Sequence, residues 1–306
     1  AVYDITNVVV DGYDVVVNKP KSGAYRAPGA TQAAFAVETV VDEIAEKLGI
    51  DPIELRLMNS AKEGTRRADG PVNPRIGCVE VLEAMRDHPH YSAPLEGKNK
   101  GRGVAAGFWI NGAGESAVTL RVNSDGSLTL SEGSADIGGT RTSIAMQAAE
   151  VLGVPAESVS PQVVDTDSVG YTSGTGGSSV TFKAGWAAYE AANDVKAQLI
   201  ERASKIWEVD AGTLEYGKGE IKSKSDPELK MSFVELAGQL NGTGGPVVGS
   251  SNLMPPAIGG AYAGCIVDVE VDPDTGKTTV ERSTIVQDAG KAIHPSYVEG
   301  QMQGGS

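Results

Sequence analysis

The sequence predicts an α+β fold of two mixed α/β lobes that carry glycine-rich binding loops. Three observations lead there. Apolar and polar residues alternate around turn signals at Ser116–Glu132 and Ala263–Asp288, which is hairpin patterning. Apolar residues recur at helical spacing over Thr31–Leu48 and Trp186–Ile206. Four glycine-rich stretches punctuate the chain: AYRAPGATQ (Ala24–Gln32), EGSADIGGT (Glu132–Thr140), TSGTGGSSVT (Thr172–Thr181) and VEGQMQGG (Val298–Gly305).

In chain order, Val8–Val17 (VVVDGYDVVV) reads as β-structure turned at Asp11–Gly12. Phe35, Val37, Val40, Val41, Ile44 and Leu48 form the apolar side of the first helix, which Gly49 closes. Asp51–Pro52 opens a second helix, with Asp as N-cap, Pro in the first turn and Glu54 positioned to complete a capping box. Lys62–Asn73 is polar loop, and Cys78–Arg86 is a short helix. His88–Gly101 is rich in proline, glycine and charge, so the expected lobes are residues 1–90 and 102–306, joined by a linker at 91–101. In the second lobe, strands at Ser116–Val122 and Ser127–Glu132 flank Ser124–Asp125–Gly126. Helix Ile144–Leu152, strand Val159–Val164, helix Trp186–Ile206, small β excursions over Glu208–Leu229 and helix Phe233–Gln239 follow. A last hairpin turns at Pro273–Gly276, with Ile266, Val269 and Val271 as candidate core.

A chain of 306 residues has room for two lobes. Its net charge of -14 argues against nucleic-acid binding, because phosphate contacts need clustered Lys and Arg. Cys78 and Cys265 are too few for an iron–sulfur cluster, which takes about four, and are expected as reduced thiols. No run of ~18 apolar residues predicts a membrane span, and no signal peptide is visible, so the expected compartment is the cytoplasm. The opening at Ala1 without methionine and the close on Gly304–Gly305–Ser306 lead to the expectation of a piece of a longer polypeptide.

Several glycine loops beside helix starts suggest a large, multiply anionic ligand. Glycine lets backbone N–H groups converge, and a helix N-terminus adds partial positive charge. Arg26, ahead of the first helix, either forks onto an oxyanion or caps a surface loop. Gly138 and Gly139 with Thr140 either cradle an anion or merely turn strand into helix. Thr175, Gly177, Ser178 and Ser179 are denser and favour the cradle. No Walker A pattern occurs, and no G-x-G-x-x-G follows a strand. His88 and His90 read as solvated linker residues, and His294, before Pro295, as a turn residue. No zinc spacing exists among the His, Cys and Asp residues. Asp272–Gly276 reads as a hairpin turn, and Asp165–Asp167 as a strand end.

Taken in order, AYRAPGATQAAFAVETVVDEIAEKLGIDPIELRLMN, GSADIGGTRT, LGVPAESV with DTDSVGYTSGTGGSSVT, and VDVEVDPDTGK through QDAGKAIHPSYVEGQMQGG carry a resemblance over nearly the whole chain. They resemble the molybdopterin-binding large subunit of the xanthine dehydrogenase and aldehyde oxidoreductase family, the molybdenum hydroxylases, in its C-terminal part. The resemblance implies a molybdopterin cofactor, often a cytosine dinucleotide in bacteria. It implies cofactor contacts at Arg26, Gly138, Gly139, Thr140, Thr175, Gly177, Ser178, Ser179, Val180 and Gln301, with no protein ligand to the metal. Ala27, Pro28, Phe108 and Trp109 would face the substrate. The [2Fe-2S] and FAD centres would sit on partner subunits, and a further partner would supply the N-terminal part of the molybdenum subunit.

The implied activity is hydroxylation of an N-heterocycle, purine- or nicotinate-like, with water as oxygen source. An aldehyde oxidoreductase is one alternative, and a fragment or assembly protein without activity of its own is another. Two departures bear on this. Ala27 stands where aerobic carbon monoxide dehydrogenases carry a copper-linked cysteine, and a methyl group cannot ligate copper. Gly138–Gly139 replaces the family's usual Gly-Gln, which removes one side-chain contact to the cofactor. The family's catalytic glutamate lies beyond Ser306, so the catalytic residue is unknown from this sequence, and the isolated chain is expected not to catalyse.

Overall fold

The computed structural model describes residues 2–255 and 260–306; Ala1 and residues 256–259 lie outside it. Helices α1 (Ala30–Leu48), α2 (Pro52–Asn59), α3 (Cys78–Asp87) and α4 (Pro89–Ser92) precede strands β1 (Lys100–Ile110), β2 (Ser116–Val122) and β3 (Leu128–Glu132). Then come α5 (Thr140–Leu152), β4 (Val159–Val163), α6 (Thr166–Val169) and the long α7 (Val180–Trp207). The chain continues through β5 (Leu214–Gly217), β6 (Glu220–Ser223), β7 (Lys230–Ser232), α8 (Phe233–Gln239), β8 (Val248–Leu253), β9 (Gly260–Val271), β10 (Thr278–Asp288) and α9 (Pro295–Gln303).

Two units result, and both are discontinuous in sequence. The first takes residues 1–110, 260–292 and 298–306; the second takes 111–259 and 293–297. Sequence composition suggested a junction at 91–101, but that stretch is tied into the first unit. His90 is buried, with Nε2 3.1 Å from the Asp268 carboxylate, and Arg102 donates to the carbonyls of Tyr91 and Ala93 at 2.7 Å. Proline and glycine there mark a docked turn, and His90 is no solvated loop residue.

The first unit is built on the antiparallel sheet β1–β9–β10. Ile53, Leu82, Met85, Val104, Tyr262 and Ile266 form its core between the sheet and α2–α3. Side chains alternate across a strand. On β9 the buried positions are Tyr262, Gly264, Ile266 and Asp268. Val269 and Val271 have the opposite parity to Ile266, so they leave the core face; Val271 is exposed. Asp268 ends the buried row in a bidentate pair with Arg102 at 2.7 and 2.9 Å, and Arg282 adds a third contact at 2.9 Å. Hydrogen bonds from Arg102 outweigh the cost of burial and hold the Asp268 carboxyl well below the usual range.

Helix α1 forms where its periodicity predicts, but it buries the other face. Phe35 is 77% exposed, and Val37, Val40, Ile44 and Leu48 are exposed as well. Turned inward instead are Ala45 and Glu38. Glu38 accepts from Tyr3 at 2.5 Å, from Arg56 at 2.9 Å and from the Ala106 N–H at 2.7 Å. A buried carboxylate needs such partners to offset desolvation. Asp51 caps α2 as predicted, accepting from the N–H groups of Ile53 and Glu54. The box is half formed, because Glu54 reaches Arg86 at 3.5 Å. A complete capping box forms on α8 instead, between Ser232 and Glu235.

Residues 8–17 form no strand, and Val9, Val10, Tyr13, Val15 and Val16 are exposed. The valine pattern is sound for β-structure. A ladder needs a partner, however, and an isolated two-stranded ribbon is marginal in water. Cys78 and Cys265 are free thiols.

The second unit carries the sheet β4–β3–β2–β8, with α5 and α7 packed on it, and a small sheet β5–β6–β7. β2 and β3 form the expected hairpin, whereas β3 and β4 are parallel. A parallel pair needs a crossover, and α5 supplies it. The loop 133–139 therefore sits between the end of β3 and the start of α5. Along α7 the buried face is alanine-rich (Ala184, Ala187, Ala188, Ala191, Ala192), with Val195 and Leu199 beyond. These small residues let the helix backbone approach the sheet: a Cβ at Gly249 of β8 would collide with the Ala191 carbonyl. α7 starts at Val180, one turn and a half earlier than its apolar periodicity suggests, so it rises directly out of the Thr172–Thr181 loop. Among the described residues no helix is long and apolar enough to cross a membrane.

Candidate functional site

In the first unit, the AYRAPG loop ends in a tight turn. Ala27 takes φ 54°, Gly29 takes φ 77° as N-cap of α1, and the Ala27 carbonyl accepts the Ala30 N–H at 3.1 Å. The exposed Arg26 guanidinium forks onto the carbonyls of Gly304 at 2.5 Å and Gln301 at 2.7 Å. These carbonyls belong to the last turn of α9 and the residues just after it, where a cation also meets the negative end of the helix dipole. The structure thus brings Arg26 and Gln301 together, as two of the sequence candidates. Phe108 lies on β1 with its ring 5.0 Å from that of Tyr262 and under the Arg67 guanidinium at 5.7 Å. Strand alternation turns the next residue, Trp109, to the opposite face of β1, so the two rings do not make one wall.

In the second unit, the two glycine loops differ in a way their composition does not reveal. The loop before α5 fills its own anion position. The Asp136 carboxylate accepts from the Thr140 hydroxyl at 3.2 Å, the Arg141 N–H at 3.2 Å and Arg141 Nε at 2.9 Å. Burial works against the Asp136 anion, but these bonds outweigh it and lower its pKa. Gly138 and Gly139 are both left-handed, at φ 70° and 80°. At Gly139 the absent side chain matters, because the Tyr297 ring occupies the space a Cβ would need. Tyr297 stacks on His294 with centroids 3.7 Å apart. At the end of β3, just before this loop, Glu132 is fully buried, accepts the Ser134 N–H at 2.5 Å, and has its pKa raised by burial.

The loop Thr172–Thr181 is arranged differently. Its carbonyls turn inward onto donors of the unit. The Ser173 and Gly174 carbonyls accept from Lys183 Nζ at 2.6 and 3.2 Å. The Gly176 carbonyl accepts the Ser179 hydroxyl at 2.7 Å, and the Gly177 carbonyl accepts the Gly112 N–H at 2.5 Å. In a planar trans peptide the C=O and the following N–H point in opposite directions. The N–H groups of Gly174, Thr175, Gly177 and Ser178 therefore face outward, and among the described residues none of the four has an acceptor. Gly177 and Ser178 both adopt left-handed φ, 62° and 58°. Successive N–H groups in such turns form concave anion sites. Next comes the start of α7, a helix of 28 residues with no side-chain cap and no acidic residue in its first turn. Ser179 donates inward and Val180 is buried, so they shape the cradle and leave the outward donors to their neighbours. Thr175 ties the two loops together through the Ala135 carbonyl at 3.4 Å.

Sequence reasoning missed Asp136, Gly112 and Lys183. Lys183 carried a signal, since it is a lone lysine inside the stripe Val180, Ala184, Ala187. Among the described residues no group of three His, Cys, Asp or Glu side chains is placed to hold a metal ion. The row of outward N–H groups fits a phosphate-bearing cofactor.

Comparison with known proteins agrees with this chemistry. Molybdopterin cofactor-binding domains match residues 81–306 and, separately, 1–60. The putative xanthine dehydrogenase molybdenum-binding subunit of Escherichia coli K12 is 33% identical over 94% of this chain and 41% of that protein. The nicotine 6-hydroxylase large subunit of Paenarthrobacter nicotinovorans is 28% identical over 99% of this chain and 41% of that protein. Among solved structures, quinoline 2-oxidoreductase from Pseudomonas putida 86 superposes with TM-score 0.78 at 25% identity, over 92% of this chain and 40% of that one. The chain therefore spans about two fifths of these relatives' length, 40% to 41%. With match, fold and phosphate-ready loop in agreement, the chain belongs to the molybdopterin cofactor-binding domain family of the molybdenum hydroxylases.

Proposed function

We propose that this chain is the molybdopterin-holding part of an enzyme that hydroxylates an electron-poor N-heterocycle, with water as the oxygen source. The observation that carries the reading is the row of four outward N–H groups at Gly174, Thr175, Gly177 and Ser178, beside the uncapped start of α7. They would bind the phosphate oxygens of the cofactor, as the pterin form or its cytosine dinucleotide. Arg26, held by the Gln301 and Gly304 carbonyls, would fix the AYRAPG loop. Gly138, Gly139 and Thr140 would face the cofactor as backbone, because the Thr140 hydroxyl is already given to Asp136. Ala27, Pro28 and Trp109 would line the substrate side, with Phe108 as support behind them. Molybdopterin, when bound, supplies the two-electron redox centre. The chain's own residues would bind and orient it. Iron–sulfur and FAD partner subunits would take the electrons onward.

Relatives named for nicotine, xanthine and quinoline support a heterocyclic substrate. The aldehyde oxidoreductase of Megalodesulfovibrio gigas, 28% identical over 99% of this chain, keeps the aldehyde alternative in the test. The enzyme purified from its host is offered nicotinate, purines and aldehydes in 18O-labelled water. The expected product is a hydroxylated heterocycle carrying the label. Carboxylic acids from aldehydes alone would replace the substrate class, and no turnover with any of them would favour an assembly role.

A further inference from the structure

Lys183 is fully buried, at the close of the first turn of α7. Its ammonium has three donors, and all three are spent on one loop: the Ser173 carbonyl at 2.6 Å, the Ser173 hydroxyl at 2.7 Å and the Gly174 carbonyl at 3.2 Å. It makes no ion pair among the described residues, and Glu115 and Glu132 act on it only at longer range. Burial of a cation is costly without a compensating role. An apolar residue here would continue the stripe of Val180, Ala184 and Ala187 without that cost. What the lysine does instead is turn two consecutive carbonyls inward. The peptide planes then carry the N–H groups of Gly174 and Thr175 outward. The positive charge also lies directly behind the loop, in a stretch where Gly170–Phe182 contains no charged side chain.

We propose that Lys183 is the positioning residue of the phosphate cradle. It pins the carbonyls of Ser173 and Gly174 so that the loop presents its N–H groups to an anion, and its buried charge is balanced when that anion, a phosphate or pyrophosphate group of the cofactor, is bound. This rests on the cofactor reading above. Lys183 touches neither cofactor nor substrate; it acts through the loop.

The test measures pterin and molybdenum per chain in protein purified from its host. Lys183→Met removes donors and charge while keeping length. Lys183→Arg keeps both. Leu236→Ala, on the buried face of α8, serves as a control for general destabilisation of the same unit. Lys183→Met is expected to lower pterin content at least tenfold. Lys183→Arg is expected to recover it to within threefold of wild type, and Leu236→Ala to retain wild-type content despite a lower melting temperature. If Lys183→Met does not accumulate, Lys183→Gln, neutral and shorter, is expected to show a three- to tenfold loss. Wild-type pterin content in the Met or Gln variant overturns the role of Lys183 alone. So does an equal loss in Leu236→Ala at a matched melting temperature. A wild-type protein without pterin, in cells supplied with molybdate, overturns the cofactor reading and this inference with it.

Discussion

At the scale of single residues, the decisive groups are polar and buried. Glu38, Arg56, Asp268 and Lys183 all lie where apolar periodicity leaves no place for them, and each is matched to fixed donors or acceptors. Sequence reading singles out clusters of reactive types, so it found Arg26 and the glycine loops. It missed Lys183 because the lysine acts on peptide planes ten and nine residues earlier in the chain. Composition favoured the denser Thr172–Thr181 loop as the cradle, but it did not carry the physical difference between the two loops of the second unit. Both are glycine-rich, but Asp136 fills one of them, and among the described residues no carboxylate accepts from the N–H groups of the other. Glu38→Ala tests the buried-polar account. It strips the acceptor from Arg56 Nε and from the Ala106 N–H, and among the described residues it leaves the fully buried Arg56 with Asp42 alone as ionic partner. Breaking such a pair typically costs about 3–5 kcal/mol. Urea unfolding should show a loss of that size; a loss below about 1 kcal/mol, the range of exposed pairs, would mean the network is ornamental.

Among elements, existence and type were largely legible, while orientation was not. The hairpins β2–β3 and β9–β10, the helices α1, α2, α5, α7 and α8 and the small β5–β6–β7 sheet follow local patterns that need no knowledge of neighbours. Which face turns inward depends on what lies opposite. On α1 the stripe Val37, Val40, Ile44 and Leu48 has the right spacing, yet Glu38 and Ala45 face the unit because the bonding partners of Glu38 are there. On β9 the parity of Ile266 decides, and Val269 and Val271 fall on the wrong side of it. A paired substitution follows. Val40→Thr changes a residue that is 54% exposed and should shift stability by no more than about 0.5 kcal/mol. Ala45→Val adds two methyl groups at a fully buried position and should cost about 1–3 kcal/mol. Chemical denaturation of both variants measures this, and the reverse ranking would put the apolar stripe of α1 in the core.

For the molecule as a whole, the sequence carried a fold class and a family before any contact was known. It did not carry the partition into units. A sheet assembled from β1, β9 and β10 joins residues 100–110 to 260–288 across the entire second unit, and no local composition marks that pairing. The valines of 8–17 make the same point in reverse: a strand pattern is a promise of pairing, and the partner decides whether it is kept. The central claim, that this chain holds molybdopterin through the Thr172–Thr181 loop, has one direct measurement. Molybdenum and released pterin are quantified per chain in protein isolated from its host, for wild type and for Gly177→Val. Gly177 stands at φ 62°, where a β-branched residue is strained. The expected result is close to one molybdenum and one pterin per wild-type chain, and a content at least tenfold lower in the variant. A wild-type chain free of both, or a Gly177→Val chain loaded as fully as wild type, would contradict it.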